Sequence, residues 1–444
     1  MRERERLYKK KVSPPLVLIV LFLTVAFVGG ILLSLPIAHE QEPVAFIDAL
    51  FTSVSALTVT GLVVVDTGTT FSVFGQVIIM LLIQVGGLGI MTFAIFFFFL
   101  IGKKVGIQQR LVVQQALNQR TVGGILMLAK RVLLYSLTIE GVAFLLLAIR
   151  WVPEWGWKFG LFTSAFHTVS AFNNAGFSLW SDSLTRYASD PTVTIIITLL
   201  FMIGGLGFTV LVDLWKTKRF QDLMLHSKIM IVATISVTIV STIVLFIIEM
   251  NNPHTIGSMS LENKWLASYF QAVTPRTAGF NTVDISQLEE PSLFFILGLM
   301  FVGAGSASTG GGIKLTTFVA LTFSVITFIQ DREEVHLYKR TIPVAIIMKA
   351  MAITLLSMAI IFVVVFILEL TEEAPFLMIL FEVVSAFGTV GLSMGLTTHL
   401  TVIGKLLIMF MMFVGKIGPL TLAYMFTTKR KSVVHYPRED VLTG

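Results

Sequence analysis

The sequence predicts an all-α polytopic membrane protein built from four tandem units, each an outer helix, a short half-helix and an inner helix. Three observations carry that reading. Mean hydropathy is +0.87, with 55% hydrophobic and only 13% charged residues, which lies outside the soluble globular class. A short motif ending in glycine recurs four times, as Ser55 to Leu62, Ser170 to Phe177, Val273 to Phe280 and Ser385 to Leu392. Its glycines, Gly61, Gly176, Gly279 and Gly391, stand 115, 103 and 112 residues apart, so the repeating unit is a small domain and not a solenoid repeat. Lastly, Lys and Arg gather between the apolar runs rather than in them.

The units are expected at 1–106, 107–216, 217–331 and 332–444. Met1 to Lys11 is strongly basic and should stay in the cytoplasm. The apolar run from Pro14 to Leu35 can cross a bilayer at about 1.5 Å per residue. It is too long for a signal h-region and lacks a small-residue cleavage site, so it should remain as a helix. Val44 to Leu57 is too short to span and runs into the first glycine motif, which reads as a half-helix followed by a re-entrant loop. Phe71 to Ile101 spans again and reaches a loop holding Lys103, Lys104, Arg110, Arg120, Lys130 and Arg131. The second unit repeats this order with Val132 to Ile149, Phe159 to Phe172 and Val193 to Leu211. The third uses Ile229 to Ile248, Trp265 to Thr274 and Leu293 to about Phe328. The fourth uses Ile342 to Leu370, Phe376 to Phe387 and Val402 to Phe426, then ends in a basic tail.

Of the 32 Lys and Arg, 24 fall in the segments that this plan puts inside, so all four units share one orientation and both termini are expected in the cytoplasm. The net charge of +6 therefore belongs to loops facing the inner leaflet and does not indicate nucleic acid. Acids such as Asp48, Asp66, Asp190, Glu249, Glu372 and Glu382 map to the outer side. An outer mouth rich in carboxylates would concentrate cations; the alternative is that these acids only avoid the basic leaflet. With no cysteine, seven histidines and no His-Glu-x-x-His or Gly-x-Ser-x-Gly motif, no catalytic constellation or cofactor site emerges, and an enzyme is not expected.

A segment that enters the membrane and turns back leaves backbone groups that hydrocarbon cannot satisfy, so it must line water or ions. Four such loops meeting on an axis would offer a ring of carbonyls able to replace the hydration shell of a monovalent cation. The half-helices would aim their negative ends at it. Glycine fits each loop because it adopts positive φ without steric cost; the alternative is four ordinary turn glycines.

On these residues the chain resembles the membrane subunit of the Trk/Ktr/HKT potassium-uptake superfamily, most closely the Ktr type, over nearly its whole length. The resemblance implies a pseudo-fourfold pore in one chain, in a cell membrane, with potassium as the transported ion and sodium as a possible activator. It implies a filter formed by Thr58, Val59, Thr60 and Gly61; Asn173, Asn174, Ala175 and Gly176; Arg276, Thr277, Ala278 and Gly279; and Gly388, Thr389, Val390 and Gly391. Potassium would bind at the four glycines. In plant relatives a serine at the first glycine goes with sodium transport, so Gly61 favours potassium. No loop reads Thr-Val-Gly-Tyr-Gly. The resemblance also implies a homodimer and a cytoplasmic ring of nucleotide-binding regulatory subunits, for which the basic loops near Gln108 to Arg120, Lys216 to Lys228 and Arg332 to Arg340 are the available docking surface.

Within the third inner helix, Gly303 to Gly312 opposes helix at up to about 1 kcal/mol per glycine. It fails as a phosphate loop, because Gly311 and Gly312 stand where Lys and Ser or Thr are needed. In the resembled family this segment is an intramembrane loop below the filter that obstructs the pore. That role is expected of Gly305, Ser306, Ala307, Ser308, Thr309, Gly310, Gly311 and Gly312. Lys416, alone in the fourth inner helix, costs several kcal/mol unless it reaches water or a partner; facing the pore it would repel cations and donate to the loop carbonyls. Lys314 either assists or snorkels to the inner surface.

Arg276 is expected to contribute its carbonyl and send its guanidinium back into the protein, toward an outer carboxylate. His167 reads as a packed or hydrogen-bonded residue, and the Gly86-Gly87-Leu88-Gly89 and Gly204-Gly205-Leu206-Gly207 runs as close-packing sites or bends. Glu140 is either a coupling site for protons or sodium or a hydrogen-bonded structural acid. Two functions follow, a gated potassium pore driven by membrane potential, or an alternating-access symporter coupling potassium to sodium or protons.

Overall fold

Long apolar runs become helices here because backbone in hydrocarbon can satisfy its hydrogen bonds only within the segment. The computed structural model describes residues 14–40, 42–89, 125–306, 308–419 and 439. The basic N-terminal stretch, the loop holding Lys103, Lys104, Arg110 and Arg120, the boundary at 106, Ala307 and the basic tail lie outside the described residues.

In chain order the main helices are α1 (Pro14–Leu33), α2 (Phe46–Thr58), α3 (Val73–Leu88), α4 (Ile125–Trp155), α5 (Trp157–Phe172), α6 (Pro191–Leu206), α7 (Phe208–Lys216), α8 (Leu225–Glu249), α9 (Leu261–Val273), α10 (Glu290–Phe301), α11 (Leu315–Ile329), α12 (Val344–Thr371), α13 (Phe376–Gly388) and α14 (Val402–Ile417). Stretches Lys130–Trp155, Leu225–Glu249 and Val344–Thr371 are each long and apolar enough to cross a membrane. Their outward faces, with Leu145, Ile149, Phe362 and Leu370 exposed, are what a lipid-facing surface requires. The four short helices that precede the glycine motifs, α2, α5, α9 and α13, are buried instead. Phe51, Phe166, Phe270 and Phe381 on them are fully inaccessible.

Three of the four helices that follow the motifs begin with side-chain caps. Ser72 Oγ accepts from Gly75 N–H at 3.4 Å, Thr401 Oγ1 from Gly404 N–H at 3.1 Å, and Asp190 Oδ1 from Thr192 N–H at 2.9 Å, with Pro191 at the first helical position. Capping also changes the reading of the outer acids. Asp66 and Asp190 cap helices, Glu372 accepts from Thr401, Glu249 holds Asn252 and Glu289 N–H, and Asp48 pairs with Lys405 at 2.6 Å. Glu382 is fully buried in α13 and is no part of an outer mouth. Helix N-termini need anions and acceptors, and most of these acids supply them.

Gly89, Gly207 and Gly418 have φ of +84°, +100° and +91° and end α3, α6 and α14. At Gly207 the axis turns by 94° between α6 and α7. The neighbouring glycines are close-packing sites: a Cβ at Gly86, Gly204 or Gly415 would strike the carbonyl of Leu57, Phe172 or Phe387. Bend and contact thus occur together. The third such helix is broken, with α10 ending at Phe301 and α11 beginning at Leu315.

Packing among these helices runs in a closed cycle. α3 meets α5, α6 meets α9, α10 meets α13, and α14 meets α2. The Asp48–Lys405 bridge ties α2 to α14, the two ends of the chain's order. One element departs from the all-α expectation. Val335–Leu337 and Arg340–Ile342 form a two-stranded hairpin, turning at Tyr338 and Lys339 with φ of +50° and +61°. Such a turn usually announces itself by Asn-Gly, and this one carries no such signal.

Candidate functional site

The four glycine motifs fold alike at the backbone. Each has two residues of positive φ, two places apart: Val59 and Gly61 (+54°, +88°), Asn174 and Gly176 (+60°, +69°), Thr277 and Gly279 (+72°, +76°), Thr389 and Gly391 (+51°, +89°). The sequence pointed only to the glycines. A left-handed conformation costs an ordinary residue about 1–2 kcal/mol, and Val59, Thr277 and Thr389 are β-branched, so surrounding bonds must hold them there.

Those bonds come first from each motif's own half-helix. Thr60, Ala175 and Val390 N–H donate to the carbonyls of Ser55, Ser170 and Ser385 at 2.8, 2.8 and 2.9 Å. Ser55 and Ser385 Oγ accept from Gly61 and Gly391 N–H, both at 3.1 Å. Ser170 Oγ and Thr274 Oγ1 donate to the carbonyls of Phe177 and Phe280 at 2.7 and 2.5 Å. In the divergent third motif Ala278 N–H uses Thr274, which shifts the anchor by one residue. Thr58 and Gly388 close their half-helices, and Asn173 caps α5.

Neighbouring loops touch in chain order and the ring closes. A Cβ at Gly61 would meet the Ala175 carbonyl, one at Gly176 the Ala278 carbonyl, one at Gly279 the Val390 carbonyl, and one at Gly391 the Thr60 carbonyl. Each glycine is therefore required twice, by its φ and by its neighbour.

The broken helix lies against this ring. Lys416 Nζ donates to the Thr309 carbonyl at 2.6 Å, and Lys314 Nζ to the Gly310 and Gly311 carbonyls at 2.7 and 3.4 Å. Thr309 Oγ1 donates to Asn174 Oδ1 at 2.7 Å, and Thr389 Oγ1 accepts from Gly311 N–H at 2.8 Å. Asn174 also donates to Thr277 Oγ1 at 3.2 Å. Backbone bonds from Gly305, Thr309 and Gly312 N–H reach the carbonyls of Gly205, Gly204 and Gly415 at 2.8, 3.3 and 3.2 Å. Within the loop, Ser308 Oγ donates to the Gly305 carbonyl at 2.6 Å, and Ser306 Oγ lies 3.4 Å from Thr316 Oγ1. Of the left-handed residues, whose conformation the sequence did not reveal, Asn174 and Thr389 thus bond to the loop, and Thr277 bonds to Asn174.

The remaining polar candidates sit behind the ring. Arg276 is buried and its Nη2 donates to Thr234 Oγ1 of α8 at 3.2 Å; its partner is a hydroxyl and not the outer carboxylate expected. Glu140 accepts from Gln84 Nε2 at 3.0 and 3.1 Å and from Asn173 Nδ2 at 3.3 Å. His167 Nδ1 meets the Thr163 carbonyl at 2.9 Å and its Nε2 meets Ser178 Oγ at 3.1 Å, so it is a hydrogen-bonded core residue.

The comparisons with known proteins agree along the chain. Residues 2–435 match a family model described as TrkH, cation transport protein. The Ktr system potassium uptake protein B of Bacillus subtilis is 52% identical over 432 residues, 97% of each chain. Its counterpart of the same name in Vibrio alginolyticus is 42% identical over 438 residues, covering 98% of this chain and 96% of that one. The potassium/sodium uptake protein NtpJ of Enterococcus hirae is 35% identical over 452 residues, covering 100% and 99%. The crystal structure of the potassium transporter TrkH from Vibrio parahaemolyticus superposes with a TM-score of 0.75 at 18% identity, over 95% of this chain and 86% of that one.

Proposed function

The chain belongs to the TrkH family of cation transport proteins, and from that premise we propose that it takes up potassium through a gated, channel-like pore. The observation that carries this reading is the closed cycle of four loops, each left-handed at two alternate residues, with the broken helix bonded against it. Alternating handedness turns successive carbonyls to one side, which is what a cation-coordinating ring needs. On this reading the four units, divided near 106, 216 and 331, are related by pseudo-fourfold symmetry around one pore. Thr58 to Gly61, Asn173 to Gly176, Arg276 to Gly279 and Gly388 to Gly391 form the filter, and potassium binds at the glycines.

Gly305 to Gly312 and Lys416 form the gate. Two ammonium groups beside the loop oppose a cation below the ring, so opening must move or neutralise them. Uptake needs no chemical fuel, because one charge crossing about 100 mV gains about 2.3 kcal/mol. At about 1.4 kcal/mol per decade, that sustains roughly fifty-fold accumulation. The names of the relatives support potassium as cargo, a link to sodium and a system of more than one component, and we assign sodium the role of activator. We assign to this chain a homodimer with cytoplasmic termini, controlled by a ring of nucleotide-binding subunits on its inner face. The symporter reading is weaker, since Glu140 is taken up by Gln84 and Asn173.

The test is potential-driven flux of potassium and sodium into liposomes holding this protein or its Gly61→Ser variant. Potassium flux that dominates in the parent, with sodium admitted by the variant, is expected. Identical ion preference in both would remove the glycine ring as the filter.

A further inference from the structure

The second and fourth loops carry a brace that neither the family nor the gate accounts for. Glu382 stands nine residues before Gly391, and Ser393 two after it; His167 and Ser178 hold the same places around Gly176. Ser393 Oγ donates to Glu382 Oε2 at 2.9 Å, and Thr397 Oγ1 also donates to that carboxylate. Ser178 Oγ lies 3.1 Å from His167 Nε2. His167 Nδ1 faces the Thr163 carbonyl and so carries the proton, which leaves Nε2 to accept from the serine. Each serine also accepts from the N–H two residues on, Gly395 at 2.9 Å and Trp180 at 3.0 Å.

These are two copies of one device built from different chemistry. A carboxylate and an imidazole, both inaccessible to solvent, occupy the same place on α13 and α5 and receive the same serine hydroxyl. A carboxylate buried at this depth is costly unless it is hydrogen-bonded. Among the described residues the partners of Glu382 are Ser393 and Thr397, beyond the glycine. His167 is further fixed by stacking on Trp180 with centroids 4.4 Å apart.

The other two loops differ. In the third, with its amide oxygen facing the two donors, Gln271 accepts from Thr282 and Val283 N–H at 3.0 and 3.2 Å. In the first, the matching places hold Thr52, which bonds to the Asp48 carbonyl on its own helix, and Val63, which has no polar side chain. Because contacts run around the ring in chain order, the second and fourth loops stand opposite each other.

We propose that His167 and Glu382 are positioning residues for ion selection, struts that hold the outer ends of two opposed loops at the spacing a dehydrated potassium ion requires. This rests on the filter reading. Neither side chain meets the ion; each acts through the serine beyond the glycine. The unbraced first loop is then the most compliant part of the ring.

The experiment measures the potassium-to-sodium permeability ratio and maximal flux in liposomes for Ser393→Ala, Glu382→Leu, their double variant and Glu382→Gln, with Gly61→Ser alongside. Losing a buried hydrogen-bond partner should lower the ratio by about tenfold in either single variant, while maximal flux changes less. The double variant should be no worse than the poorer single one. Glu382→Gln, whose amide oxygen can accept from one hydroxyl while its NH2 donates to the other once that hydroxyl turns, should stay within about twofold of the parent ratio. If Glu382→Leu fails to insert, Ser393→Ala carries the test, since Thr397 still pairs the carboxylate. A parent-like ratio in Ser393→Ala while Gly61→Ser alters selectivity overturns the struts and leaves the filter standing. A parent-like ratio in Gly61→Ser overturns both. An equal fall for both ions at an unchanged ratio shows a structural role only and also overturns the proposal.

Discussion

The glycine ring and the broken helix are both irregular backbone at membrane depth, yet they are fastened in opposite ways. The ring holds itself: Ser55, Ser170, Thr274 and Ser385 bond each loop to the half-helix it leaves. The broken segment is held largely from outside, by Lys416, Asn174, Thr389 and the carbonyls of Gly204, Gly205 and Gly415. A loop secured by its own helix keeps its shape whatever its surroundings do. One secured by other helices is released when they shift. On the proposed function, irregular backbone is built here either as a rigid coordinating surface or as a removable obstruction, and the origin of the fastenings distinguishes the two.

The largest expected effect is at the ring. Gly391→Ala places a Cβ at φ +89° against the Thr60 carbonyl. Strain of about 1–2 kcal/mol from the backbone alone, with the clash added, should cut potassium flux by more than about tenfold in liposomes. Retained flux and selectivity would mean that the ring is adaptable and the comparison fails on its first side.

Next comes the outside fastening with a charge. Lys416→Ala removes a charge-assisted bond to the loop worth about 1.5–3 kcal/mol and a cation beside the path. Basal flux should rise by about tenfold or more, measured by rubidium uptake into liposomes. Unchanged flux would take Lys416 out of the gate.

These two regions were unequally legible in the sequence. The four motifs announced themselves because glycine, an apolar half-span and even spacing are local signals, and the run Gly303 to Gly312 opposed helix by composition alone. The isolated charge of Lys416 showed that a partner was required. That the partner would be a carbonyl of the Gly305–Gly312 loop came from the family resemblance and not from local pattern, since Thr309 lies 107 residues away and nothing local encodes such a distance. The left-handed state of Val59, Thr277 and Thr389 was hidden for a stronger reason: β-branched residues disfavour it, and only tertiary bonds override that preference. Glu382 was read as part of an outer mouth, and not as the buried residue it is, because a carboxylate in a short apolar helix reads as an exposed end.

A smaller effect should follow from Thr389→Val, which keeps the shape and deletes the acceptor for Gly311 N–H. A neutral hydrogen bond contributes about 1 kcal/mol, so basal flux should rise by about fivefold. Thr389→Ser, which keeps the hydroxyl, should stay near the parent level. If valine and serine behave alike, the bond does not restrain the loop.

The smallest effect tests the distinction itself. Ser308→Ala deletes a bond that begins and ends inside the broken segment, from Ser308 Oγ to the Gly305 carbonyl at 2.6 Å. A segment that moves as a body keeps its internal bonds in both positions, so their loss shifts neither state relative to the other. Flux should stay within about twofold of the parent, although the bond is shorter than the one Thr389 accepts. A rise like that of Thr389→Val would mean that the segment unravels as it opens, and that internal and external fastenings resist opening alike.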